Sequence, residues 1–304
     1  MRRDVVIGIA WAALTVVIWA GWFAATAQGV RTTLAPVDLV LFRVGVPTLL
    51  LASVLWRNRT VLQALNLRDV FFVSLYGLPF SLMMATGLQH APIAHAVTLV
   101  PGLMPVLLGA LGAWLLGERL PPRRYAGFAL ILLAVLLVAV ELGVFAGDGA
   151  QARGHLLFLA CSLMLATFTL TVRRLGLPPF VATGLVGLTS TAVLLPVYLG
   201  LGLGRLAEAP PMDIAVQVVA QGVLTGFVSI YAYARAIRLL GAATAASAAA
   251  LVPGTAVLIG WLVVGERPSA LDGLAMAVVT IGVYLASGAR FRRPTARRSL
   301  PDSG

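Results

Sequence analysis

The stretch from Leu88 to Leu120, LQHAPIAHAVTLVPGLMPVLLGALGAWLLGERL, decides how this chain is read. It returns in altered form as AIRLLGAATAASAAALVPGTAVLIGWLVVGERP from Ala236 to Pro268. At a constant offset of 148 residues the two share Ala94/Ala242, Leu103/Leu251, Pro105/Pro253 and Gly112/Gly260. They also share the closing Gly117-Glu118-Arg119 and Gly265-Glu266-Arg267. Each is an apolar helix carrying a proline at the same depth and ending at the same charged turn. A repeat spaced by about half the chain means an internally duplicated protein.

Outward from that stretch, the chain is 60% hydrophobic and 11% charged, with a mean hydropathy of +0.97. Soluble domains carry about a quarter charged residues. The apolar residues come in blocks long enough to cross roughly 30 Å of hydrocarbon, without the short alternating runs of a membrane β-barrel. The expected fold class is an all-α integral membrane protein with ten transmembrane helices. The spans are read at 5–28, 37–56, 70–89, 94–116, 124–143, 154–172, 179–203, 213–234, 242–264 and 270–288. Pro36, Pro179 and the pairs Pro121-Pro122 and Pro210-Pro211 punctuate them, where a helix start tolerates a missing N–H. The first span ends in an Ala25-Thr26-Ala27 that imitates a signal-peptidase site. Its apolar core exceeds the ~7–15 residues of a cleaved signal, so it is kept as a membrane helix.

The net charge of +11 and the isoelectric point near 11.3 do not point to nucleic acid, because the basic residues lie between apolar spans rather than on one patch. All of them are arginine. The lone Cys161 sits inside a span, where it packs as a small hydrophobe. With the N-terminus inside, seventeen of the 22 arginines fall on the inner side. Only Arg31, Arg153, Arg205 and Arg267 fall outside, and Arg43 lies within a span. By the positive-inside rule both termini are cytoplasmic in a bacterial-type inner membrane.

Five spans per half is an odd number, so the halves are expected to insert upside down relative to each other. That gives a first repeat over 1–143, an inverted second repeat over 154–288 and a basic tail over 289–304 attracted to anionic headgroups. The first GER turn then faces the cytoplasm and the second faces out.

Ten helices in two such halves resemble the EamA family of the drug/metabolite transporter superfamily over about residues 5–288. Trp19, Pro36, Arg43, Ala91-Pro92, Pro105, Gly117-Glu118-Arg119 and Gly127 carry the resemblance in the first half. In the second it rests on Pro253, Gly265-Glu266-Arg267, Gly273 and Gly282, with no counterpart of Arg43. The resemblance implies transport of a small solute, often export of amino acids or related metabolites, with helix two peripheral to the central cavity.

Among candidate residues, Arg43 is the charge well inside a span, about 10 Å along its helix from Pro36. A charge at such depth costs about 2.5–3.5 kcal/mol even on the lenient scale. Either it is an anchor bonded to helix-end carbonyls or to Asp38, or it meets an anionic substrate group. Pro101, Pro105 and Pro253 are expected to free carbonyls a turn earlier and so to kink helices that line a cavity or pack closely. Gln89, His90 and His95 flank the outer turn between the third and fourth spans and, with His155, read as wet interface residues. His90 and His95, five apart, share no helix face for a metal.

Trp19, Trp22, Phe23, Tyr76, Met83, Met84, Phe168, Tyr231, Tyr233 and Trp261 offer an aromatic and soft lining, although Tyr231 and Tyr233 cannot both face inward. No Asp or Glu is read at mid-span, Glu141 ending the fifth span and Glu118 and Glu266 lying at turns. Flux is therefore expected to follow the substrate gradient. No phosphate-binding loop, HExxH or GxSxG is present. The expected protein is not an enzyme and takes no cofactor or metal. Its partners are a small-molecule substrate and the bilayer, with monomer and homodimer both open. The function expected is export of small organic metabolites such as amino acids by alternating access. The alternatives are a multidrug or quaternary-cation proton antiporter and, more remotely, an intramembrane enzyme.

Overall fold

The apolar stretches are largely helical in the computed structural model, which describes residues 2–117, 120–141 and 149–286. Several helices are interrupted, and the interruptions position the candidate site. α1 (Arg2–Gly29) is continuous. α2 (Pro36–Leu50) opens on Pro36, and its first turn is closed by Asp38, which accepts the Ala35 N–H at 2.7 Å. The helix then gives way at Leu51 to two short helices, α3 (Ala52–Arg57) and α4 (Arg59–Gln63).

α5 (Leu67–Ser74), capped by Asn66, breaks at residues 75–77 before α6 (Leu78–His90). The next stretch runs as α7 (Ile93–Val97), a π-helical segment Thr98–Gly102 and α8 (Met104–Leu116). α9 (Pro122–Glu141), α10 (Gly149–Leu175) and α11 (Pro179–Gly200) follow without interruption. α12 (Pro211–Gln217), a π-helical segment Val218–Val228 and α13 (Ser229–Leu240) form one long rod. α14 (Ala242–Ala249), α15 (Val252–Val264) and α16 (Ala270–Ala286) complete the described chain. Among the described residues, six helical stretches are long and apolar enough to cross a membrane: 3–29, 67–90, 93–115, 151–175, 179–200 and 211–240.

Pro105 and Pro253 do not kink a running helix as the sequence predicts. Each sits in the first turn of a restarted helix, α8 or α15, where the missing N–H would have had no partner. Pro101 alone of the three lies inside a helical run, within the π-helical segment. Hydroxyls bond carbonyls in and just before that segment. Thr98 donates to Ala94 O at 2.9 Å, and Ser162 of α10 donates to Val100 O at 3.1 Å.

α8 and α15 are both 13 residues long, begin and end at the 148-residue offset, and close on left-handed glycines. Gly117 has φ 65° and Gly265 φ 76°, a conformation that suits glycine because it has no Cβ. α9 and α16 open at the same offset. Packing follows suit, α1 lying against α13 and α15 as α10 lies against α6 and α8. Glu118 and Arg119, the remainder of the first GER turn, lie outside the described residues, as does the tail 289–304.

The main core lies between α1, α6, α7, α10 and α15, with Trp22, Phe80, Met84, Ile93, Phe158 and Val257 at its centre. Cys161 is buried there and donates to Phe80 O at 3.4 Å. α9 and α16 approach backbone to backbone. A Cβ on Gly127 would stand 2.6 Å from Ala286 N, and one on Gly282 would stand 2.9 Å from Gly127 O. Small residues at such crossings let membrane helices pack closely.

Candidate functional site

Part-way along the helices, where α5 gives way to α6 and the long π-helical segment passes α1 and α2, aromatic and polar side chains converge around Arg43. Its guanidinium carbon stands 4.1 Å from the Trp22 ring centroid, with Tyr76 at 5.6 Å and Phe80 at 5.9 Å. Nε donates to Ser81 Oγ at 3.1 Å and one Nη to the Tyr76 hydroxyl at 3.3 Å. Phe168 of α10 stacks on Tyr76 with centroids 4.6 Å apart. Cation–π contacts and neutral hydroxyls thus stand where a carboxylate would be expected to balance the charge. Among the described residues no carboxylate pairs with Arg43.

Asp38, weighed from the sequence as that partner, is fully buried elsewhere. It accepts from the Tyr198 hydroxyl at 2.5 Å and from the Arg205 N–H at 3.1 Å.

On the other side of Trp22 lies a chain of amides. The indole N–H donates to Gln221 Oε1 at 2.6 Å, and Gln221 Nε2 donates to Thr26 at 3.0 Å and Gln217 at 3.1 Å. Gln217 in turn donates to Ala25 O at 2.8 Å. Both glutamines are buried. Gln221 belongs to the π-helical segment, and irregular backbone at such depth is tolerated only against protein or a watery cavity.

A second polar cluster lies around the starts of α7, α10 and α16. Glu266, just after α15, pairs with Arg31 at 2.5 Å and accepts the Ile93 N–H at 2.9 Å. Close by, His95 Nε2 lies 3.4 Å from Asp272 and His95 Nδ1 lies 3.2 Å from His155 Nε2. Asp272 closes the first turn of α16 with Ser269, each side chain meeting the other's N–H at 3.0 Å. His95 is only 4% exposed, which corrects its reading as a wet interface residue. Asp272 is buried as well, a carboxylate that sequence reading passed over because it opens its span.

Of the residues singled out from sequence, the structure brings together Trp22, Arg43, Tyr76 and Phe168. Trp19 packs against Tyr233 at 5.1 Å on the α1–α13 face, and Met83 lies against the main core. Pro253 is buried and Pro101 and Pro105 half-buried along the α7–α8 and α14–α15 lines. Tyr231, Trp261 and Gln89 are not in the cluster; Tyr231 is 44% and Trp261 48% exposed, and Gln89 is exposed too. Sequence reasoning missed Thr26, Phe80, Ser81, Gln217 and Gln221. The two glutamines carried a usable signal, four apart on one helix face in an apolar run.

The sequence model of the EamA-like transporter family matches residues 6–140 and again 152–288. The chain belongs to the EamA-like transporter family. This EamA protein is 27% identical over 287 residues to the "Uncharacterized transporter YdfC" of Bacillus subtilis (strain 168), covering 88% of this chain and 87% of that one. A solved structure described as "Crystal structure of protein" shares the fold. It has a TM-score of 0.59 and 20% identity, and the match covers 97% of this chain and 99% of that one. The EamA protein is thus a multi-pass membrane transporter.

Proposed function

We propose that this EamA protein exports small organic metabolites, such as amino acids and related amphipathic solutes, by alternating access. The site is the cluster of Trp22, Arg43, Tyr76, Phe168 and Gln221. One observation carries the reading: this polar and aromatic cluster sits part-way along the spans, where α5 breaks into α6 and a π-helical segment passes. Transporters of this general build bind substrate near the midplane at discontinuous helices, between inverted repeats.

The reading takes the protein as ten membrane helices in two inverted five-helix repeats, with both termini cytoplasmic. The 148-residue correspondence of helix limits supports the duplication. Arg31–Glu266, His95–Asp272 and Arg174–Asp69 each join groups that the arginine count places on one side, which supports the up-and-down path. A multidrug or quaternary-cation substrate fits poorly, because the cluster presents a cation and, among the described residues, no carboxylate.

The test is a substrate screen with purified protein in proteoliposomes, with and without a pH gradient. Movement of small amphipathic metabolites, abolished by Trp22→Ala, is expected. Transport indifferent to Trp22→Ala and Tyr76→Ala would remove the cluster as the site.

A further inference from the structure

The Arg43 cluster is asymmetric in charge, and the asymmetry specifies more than an amphipathic solute. A guanidinium offers five N–H donors in a planar fork. Here Nε is used by Ser81 and one Nη by Tyr76, both neutral hydroxyls, while the second Nη donates to no protein oxygen among the described residues. Elsewhere among the described residues arginines do meet carboxylates: Arg174 pairs with the buried Asp69, and Arg31 pairs with Glu266. Arg43 is instead held at depth by rings and hydroxyls. The rings are Trp22, Tyr76 and Phe80, with Phe168 behind Tyr76.

A charge inside a membrane protein is tolerated when something balances it, and cation–π contacts balance only part. The amide chain of Gln217 and Gln221 is internally satisfied, each carbonyl oxygen accepting from within the chain or from Trp22. It leaves no anionic group to receive a substrate ammonium.

We propose that the site selects organic anions, a carboxylate on an aromatic or bulky apolar body, over zwitterions and cations of the same shape. The carboxylate completes the Arg43 fork in the free direction, and the body lies among Trp22, Tyr76 and Phe168. A bidentate guanidinium–carboxylate pair supplies both energy and orientation, and lysine reproduces neither the plane nor the second donor.

This rests on the cluster being the substrate site, so the experiment separates the two. Phenylpyruvate, phenylalanine and phenethylamine share a benzyl body and differ in charge: anion, zwitterion and cation. Their binding to detergent-purified wild-type protein is measured by calorimetry, and their counterflow in proteoliposomes by radiolabel. The expected order is phenylpyruvate tightest, by tenfold or more over phenylalanine, with phenethylamine weakest.

Arg43→Lys is expected to keep the thermal transition within a few degrees, lose about tenfold or more for phenylpyruvate, and change little for phenethylamine. The wild-type series needs no variant, so a poorly folding Arg43→Lys does not blunt the test. Tighter binding of phenylalanine or phenethylamine overturns the anion preference while leaving the transporter reading intact. So does phenylpyruvate binding unchanged in a folded Arg43→Lys. If none of the three binds or moves, both the preference and the cluster as the site are overturned.

Discussion

Gln221 holds three side chains at once, accepting from Trp22 and donating to Thr26 and Gln217. Gln221→Leu leaves the buried indole N–H without an acceptor, which costs about 1–3 kcal/mol for each group stranded. A clear fall in thermal stability is expected for Gln221→Leu, and Trp22→Phe alone should also destabilise. The double variant should recover part of the loss, because removing both partners leaves fewer unpaired groups. Strict additivity in the melting temperatures would show that the Trp22–Gln221 bond contributes nothing. Much of this scale was legible in the sequence. Trp22, Arg43, Tyr76 and Phe168 were found because charge and aromatic area inside an apolar span are unusual. What could not be read was azimuth. The sequence predicts that Tyr231 and Tyr233 do not both face inward; in the structure both rings meet α1, Tyr233 at Trp19 and the exposed Tyr231 at Trp11.

At the scale of elements, the closest approach is between α9 and α16, where the glycines leave no room for a methyl group. Gly127→Ala would place a carbon 2.6 Å from Ala286 N and 2.7 Å from Gly282 O, both backbone atoms that cannot rotate away. The helices would have to separate, at about 1–3 kcal/mol. Gly273 of α16 has nothing within 4 Å of a built Cβ and serves as the control. Gly273→Ala is expected to leave the melting temperature unchanged or slightly raised, and Gly127→Ala to lower it by several degrees. Equal melting temperatures would mean that the close approach has no energetic weight. Helix positions were legible because apolar runs bounded by proline leave few other readings. The breaks were not, because their partners come from afar: Leu78 N–H at the start of α6 finds Ser190 Oγ of α11 at 2.9 Å, 112 residues away. A serine in an apolar run reads as inert until folding shows which peptide group it serves.

For the molecule as a whole, cysteines replacing Pro122 and Ser269 test the inverted arrangement directly, since the native Cys161 is buried. An impermeant thiol reagent should label position 269 from outside and position 122 only after the membrane is opened. Equal labelling from one side would overturn it. The cluster of His95, His155 and Asp272 brings together residues far apart in the sequence. His95 and His155 share one hydrogen bond, which needs one of the two nitrogens to be bare. Asp272 faces His95 on its other side, Glu266 and Arg267 line the adjoining cleft with Asp272, Arg31 pairs with Glu266, and His90 ends α6 nearby.

The histidines were in plain view in the sequence, but their partners lie 60 and 177 residues downstream, beyond any local pattern.

The serine at the α5–α6 break also bears on the order in which the protein is made. When α6 enters the membrane the ribosome has yet to reach Ser190, and Ser162 is likewise still to come when the π-helical segment at Val100 arrives. Newly inserted, the first half carries bare peptide groups that hydrocarbon penalises by several kcal/mol each. Until the second half is synthesised, those segments must stay straight, stay near water or be sheltered by the insertion machinery. The bent backbone of the finished protein is thus a late event, and a chain released after about 150 residues has no means of forming it.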